Sequence, residues 1–220
     1  MAPEEKEEMD DIPPPIKIKE LYILYQPISK IYTDDCGRFP IRSRSINKYI
    51  TIAYNCDSNT ILQAPFTNRK DKHRIIAYNS IMRLLADRGH QDDVQILNNE
   101  ISASFKRNIV EDWGATYQLV PPNVHRINIS KRAIYTFKAN ILSVLSGVDP
   151  NFPKCTWDKI LVHTDLALIL LCLDTLNPSM SAWKYFNGAF DYAATPLCLT
   201  GCKIIIHTTP NKRKYCDQRG

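Results

Sequence analysis

The spacing of apolar residues changes period along this chain, and the order of those changes limits its architecture more than any other feature. Residues 49–54 (YITIAY) and 60–66 (TILQAPF) are short β-branched and aromatic segments flanking the turn-prone stretch 55–59, the pattern of a hairpin. From 69 to 88 the spacing becomes helical, with Ile75, Tyr78, Ile81, Met82 and Leu85 three or four residues apart and Gly89 as a stop. A short apolar strand is expected at 94–97, a helical stretch at 100–111, and a strand at 117–120 ended by Pro121-Pro122. The clearest helix spans 130–148, with Ile134, Phe137, Ile141, Leu142, Val144, Leu145 and Val148 on one face and Lys131, Tyr135 and Lys138 on the other. A further helix is expected at 157–176 and a last strand at 203–207 (KIIIH). The opening strand falls at either 21–25 or 31–33, the latter ending in the turn-prone Asp34-Asp35-Cys36-Gly37. This order of strands and helices, with no internal repeat, describes a mixed α/β domain.

The length of 220 residues suits one domain with extensions, large enough to bury a core without disulfides. Composition excludes a wholly disordered chain, a collagen and a membrane protein. Seven cysteines, an odd number, favour a reducing compartment, so the expected location is intracellular, nucleus or cytoplasm. The longest apolar run, 166–173, has eight residues bounded by Asp165 and Asp174, which reads as a buried helix. A bilayer span needs about 18. The first 20 residues hold seven acids against three lysines, with a proline block at 13–15, and read as a disordered lead-in without signal-peptide character. The other 200 carry 25 basic against 16 acidic side chains, a balance that favours a polyanionic partner.

Three stretches carry a resemblance when taken in order: 33–40 (TDDCGRFP), 95–100 (QILNNE) and 130–138 (SKRAIYTFK). Together they resemble the integrase catalytic core of an LTR-type, retroviral-like retrotransposon, in a degenerate copy. Downstream, 176–178 (LNP), 182–186 (AWKYF) and 201–203 (GCK) resemble the segment that trails the core in such polyproteins. The resemblance implies an RNase H-like fold, a mixed central sheet of about five strands flanked by helices. It implies an integrase-core-like domain over 21–150 and a C-terminal extension over 151–220, helical and then a short strand, whose end reads as a truncation.

In that family three carboxylates hold Mg²⁺ or Mn²⁺. Asp34 matches the first, standing three residues before Gly37, with the adjacent Asp35 left open as the alternative. Asn98 stands where the family has Asp, and Asn99 matches the family's Asn. Lys131 stands where the family has Glu, while Arg132, Thr136 and Lys138 fit. The gap between Asn98 and Lys131 is 32 residues, close to the family's spacing. Asp34 is thus the catalytic candidate, with Asn98 and Lys131 as degenerate partners and Asp34 with Asn98 as a weak metal pair.

The resemblance implies a nucleic-acid-binding domain of retrotransposon origin, formally of DNA integration, that is a pseudoenzyme and does not hold the family's metal ions. DNA is the expected partner, through Lys131, Arg132, Lys138 and Arg126; a homodimer is allowed and a membrane is not expected. The alternative is a domesticated or relic protein–protein interaction module without DNA binding.

Plainer readings stand beside these. Asp34-Asp35 alone is a solvated turn, Asn98-Asn99 a strand-end cap that starts a helix, and Lys131 with Arg132 and Lys138 a solvated helix face. Glu100 is the nearest substitute acid, whereas Asp57 at the hairpin turn lies too far round. Cys198-x₃-Cys202, near His207 and Cys216, is not a zinc pair by spacing, and its apolar surroundings favour buried thiols. Cys36 has no neighbouring His that would make it a nucleophile. Trp113, Trp157 and Trp183 read as core anchors.

Overall fold

The computed structural model of the protein describes residues 29–90, 93–120, 129–198 and 200–202. Three strands rich in Ile, Thr and Tyr form an antiparallel meander: β1 (Lys30–Cys36), β2 (Tyr49–Asn55) and β3 (Thr60–Phe66). Asn59 takes up the positive φ of 54° in the β2–β3 turn, a conformation that Asn tolerates better than most residues. Helix α1 (Asp71–Ala86) then crosses over to β4 (Val94–Leu97), which pairs parallel with β1. Helix α2 (Ala103–Arg107) runs into a π-helical turn (Asn108–Asp112) and leads to β5 (Thr116–Leu119), parallel with β4. The sheet order is β3-β2-β1-β4-β5. Beyond it come α3 (Ile129–Ser146), a 3₁₀ turn (Lys154–Thr156), α4 (Trp157–Leu171) and α5 (Ala182–Asn187).

Strand alternation divides the core between the two faces of the sheet. On one face Ile31, Ala53, Leu62 and Leu97 pack with Tyr78, Ile81 and Leu85 of α1 and Phe105 of α2. On the other, Cys36, Ile50, Ile52 and Ile61 pack with Ala133, Phe137 and Ile141 of α3 and with Trp157, Leu161 and Leu168 of α4. β2, with strands on both sides and helices on both faces, is buried at five of its seven positions, which explains why it reads as a continuous rather than an alternating apolar run.

Several expected boundaries move, each for a physical reason. β1 does not end in a turn at Asp34; it stays extended to Cys36, with Asp34, Asp35 and Cys36 opposite Ile52, Thr51 and Ile50. Pairing with β2 overrides the local turn preference of Asp and Gly. The helix expected from 100 starts only at Ala103, because Ser102 is the cap that accepts the Phe105 N–H at 3.2 Å. Asn98 and Asn99 therefore do not cap it. α4 stops at Leu171, short of 176, where the Asp174 carboxylate accepts the N–H groups of Leu176 and Asn177 and turns the chain ahead of Pro178. In α3, Leu142 leaves the expected buried face and is 63% exposed, since the buried row runs Ala133, Phe137, Ile141 at four-residue steps.

Trp157 is a core anchor, and Trp113 and Trp183 pack partly buried against the α1-face core. Cys198 and Cys202 are exposed, not buried: residues 191–198 lie at the surface. All six described cysteines are free thiols. Among the described residues no helix is long and apolar enough to cross a membrane. The acidic lead-in, the candidate strands at 21–25 and 203–207, Arg126, His207 and Cys216 lie outside the described residues.

Candidate functional site

The parallel register of β1 with β4 sets Thr33 opposite Leu97, so the next residues, Asp34 and Asn98, come level at the carboxyl end of β4. Asp34 shares the α3 face of the sheet with Cys36, while Asp35 shares the α1 face with Ile31. Asp35 is engaged there: the Thr51 hydroxyl donates to its carboxylate at 2.9 Å, and Arg74 Nε of α1 forms an ion pair with it at 2.8 Å. The alternative that the sequence left open is thus a carboxylate tied into the opposite layer.

Asp34 is half-buried and accepts the Asp35 backbone N–H at 2.8 Å. Burial raises its carboxyl above the usual range, the charge of Asp35 adds to this, and the Asp35 N–H, Lys131 and Arg74 oppose it. Lys131, exposed in the first turn of α3, is near enough for its charge to act on Asp34. Two turns further on, Lys138 hydrogen-bonds Cys36, whose thiol is pushed up by burial against that lysine's charge. A buried thiol held protonated is not a nucleophile. Arg132 is exposed and its charge acts on Tyr54 of β2. Asn98 is half-buried, its side-chain oxygen accepting the Asn99 N–H at 2.9 Å.

The structure therefore brings Asp34, Asn98 and Lys131 to one end of the sheet, with Lys138 alongside. Glu100 is exposed. Asp57 acts on His90 and follows Cys56, whose N–H bonds the Lys30 carbonyl at the far end of β1. Among the described residues no three His, Cys, Asp or Glu side chains are grouped so as to hold a metal ion.

A two-metal phosphoryl-transfer site needs carboxylate and water oxygens around ions about 3.5–4 Å apart. The donor set here is one carboxylate, one neutral amide and one ammonium, and it does not fit such a pair of ions. At ~4 Å and an effective dielectric of ~20, a lysine charge opposes a divalent ion by at most ~8 kcal/mol. A quarter of that, ~2 kcal/mol, already weakens metal binding more than tenfold. Two lysines beside one partly buried carboxylate make a surface suited to anions.

Sequence reasoning missed Thr51 and Arg74, because their role depends on which way Asp35 points. It also missed the wall formed by the β1–β2 loop against α3 and α4, which depends on contacts more than 100 residues apart, such as Trp157 Nε1 donating to the Ile41 carbonyl at 2.8 Å.

A five-stranded mixed sheet in the order β3-β2-β1-β4-β5, with helices on both faces, defines an RNase H-like architecture of the kind found in retroviral integrase catalytic cores. No protein-family model matches the chain, and neither does any curated protein. Among solved structures, the chain is similar to one from the simian T-cell lymphotropic virus intasome in complex with PP2A regulatory subunit B56 gamma. There the TM-score is 0.57 at 12% identity, covering 83% of this chain and 61% of that one. It is also similar to the catalytic core domain of BIV integrase, with a TM-score of 0.53 at 10% identity, covering 73% of this chain and 94% of that one. At such identities the likeness is one of fold. The chain spans about three fifths of the intasome chain it matches.

Proposed function

We propose that this is an integrase-core-like nucleic-acid-binding domain of retrotransposon origin that does not catalyse metal-dependent strand transfer. The observation that supports this reading is the β1–β4 register, which sets Asp34 level with Asn98, together with the charge of Lys131 acting on that carboxylate. On this reading the domain binds duplex phosphates through Lys131, Lys138 and Arg132 of α3, acts inside the cell in nucleus or cytoplasm, and does not retain Mg²⁺ or Mn²⁺. Lys131 and Lys138 are seven residues apart, hence on one helical face and roughly 10.5 Å apart along it, about three base-pair steps of duplex. The test is a strand-transfer assay with Mg²⁺ or Mn²⁺ on the protein and on Asn98→Asp/Lys131→Glu. Activity in the unaltered protein overturns the inactive reading.

A second reading, a protein–protein module with an optional homodimer, draws on Tyr135 and Leu142, which are 75% and 63% exposed on the same helix. Duplex binding whose affinity falls steeply with salt selects the first reading; no duplex binding at low salt selects the second.

A further inference from the structure

Beside the Asp34 end of the sheet lies a cavity of about 510 Å³, of whose lining the nucleic-acid reading uses Lys138 alone. Small-molecule sites commonly enclose about 300–1,000 Å³, with mostly apolar walls and a few convergent polar groups. The walls here are built rather than accidental. The β1–β2 loop is fastened to the start of α4 by three contacts: the Phe39 ring stacks on Trp157 with centroids 4.2 Å apart, Trp157 Nε1 donates to the Ile41 carbonyl at 2.8 Å, and the Arg44 N–H donates to the Cys155 carbonyl at 2.7 Å. The second half of α3 closes the other side with Ile141, Leu142 and Leu145.

The lining has one sign of charge. Among the described residues Arg38, Lys138 and Lys154 line the cavity, and no Asp or Glu does. A cation would meet three like charges in the lining, and a small hydrated anion such as phosphate would leave the walls of Phe39, Leu142 and Leu145 uncovered. A neutral apolar molecule would make no use of Arg38, Lys138 and Lys154. We propose that this cavity binds a small organic carboxylate with an aromatic or branched aliphatic body. The body lies between Phe39 and the α3 leucines, and the carboxylate meets Arg38, Lys138 and Lys154. Charge-assisted hydrogen bonds of this kind are about twice as strong as neutral ones. The proposal goes beyond the nucleic-acid reading and is tested without any nucleic acid, so either can fail alone.

The experiment is calorimetric titration of the full chain with 2-naphthoate and with its neutral analogue 2-naphthalenemethanol. Leu142→Glu places an anion in the cavity wall at a largely exposed position, where folding is not at risk; Arg38→Gln/Lys154→Gln removes two cations without adding bulk. Naphthoate is expected to bind at least about tenfold more tightly than the alcohol, and Leu142→Glu and the double variant are each expected to weaken naphthoate by about tenfold or more. Thermal melting of both variants should match the parent. The proposal is overturned if the alcohol binds as tightly as naphthoate. It is equally overturned if Leu142→Glu binds naphthoate within about twofold of the parent, or if binding appears only at millimolar concentrations.

Discussion

Asp34 and Asp35 are the same side chain one residue apart, and the pleat of β1 gives them different work. Asp35 faces α1 and shares an ion pair with Arg74, both side chains about one fifth exposed. Arg74→Ala leaves that carboxylate with Thr51 alone, and the expected loss is about 1–3 kcal/mol in urea unfolding. A further carboxylate reports on pH. Asp165 in α4 is pushed well above the usual carboxyl range by burial, opposed by a hydrogen bond with Gln63, and its Oδ1 is inaccessible and unpartnered. The folded state therefore keeps a proton that the unfolded chain releases near pH ~4. Between that pH and the raised folded value the folded state binds more protons, so stability falls as pH rises, and it levels off above. Asp165→Asn is expected to remove this decline, melting higher than the parent at pH 7 and about level with it near pH ~3. A parallel pair of melting curves against pH would refute the assignment. None of this was legible in the sequence: the pairing of Asp35 and the burial of Asp165 depend on what lies across the sheet.

Elements were more legible than residues wherever a long apolar period had one interpretation. β2, β3, β4, α1 and α3 fall within a few residues of their expected limits. β1 was obscured because Asp-Asp-Cys-Gly has turn chemistry, which the pairing with β2 overrides. The helix at 100–111 was too long and too regular in expectation, because capping by Ser102 and the π-turn at Asn108–Asp112 are local geometry that periodicity does not show. α3 joins the fold to the candidate site, with Phe137 and Ile141 in the core and the lysines outside. Its two faces should separate experimentally. Phe137→Ala is expected to cost about 3–5 kcal/mol in denaturant unfolding. Lys131→Ala/Lys138→Ala should stay within about 0.5 kcal/mol per site while weakening duplex binding. If the lysine pair proves as destabilising as Phe137→Ala, these side chains serve the fold rather than a surface.

At the scale of the molecule, the fold itself was legible through the order of the three motif stretches, and the sheet order β3-β2-β1-β4-β5 agrees with it. The surface charge was harder to interpret. Beyond residue 20 the chain carries 25 basic against 16 acidic side chains, which on its own suggests a polyanionic partner. Asn98 and Lys131, set against the Asp and Glu that the resemblance implies, account for three units of that excess. The same residues thus serve two arguments, loss of metal binding and gain of phosphate affinity, and the two make different predictions for one variant. If Lys131 contacts a phosphate, Lys131→Glu should flatten the slope of log K against log salt for duplex binding by about 0.9. If it is only a lost ligand, it touches no phosphate. The variant then removes no phosphate contact, and beyond a Debye length of about 10 Å at 0.1 M its added charge leaves the slope close to the parent's. Affinity measured across several salt concentrations for parent, Lys131→Glu and Lys138→Glu separates the cases. An unchanged slope for Lys131→Glu beside a reduced one for Lys138→Glu would confine nucleic-acid contact to the later turns of α3. Lys131 would then stand only as the residue that displaced the third carboxylate.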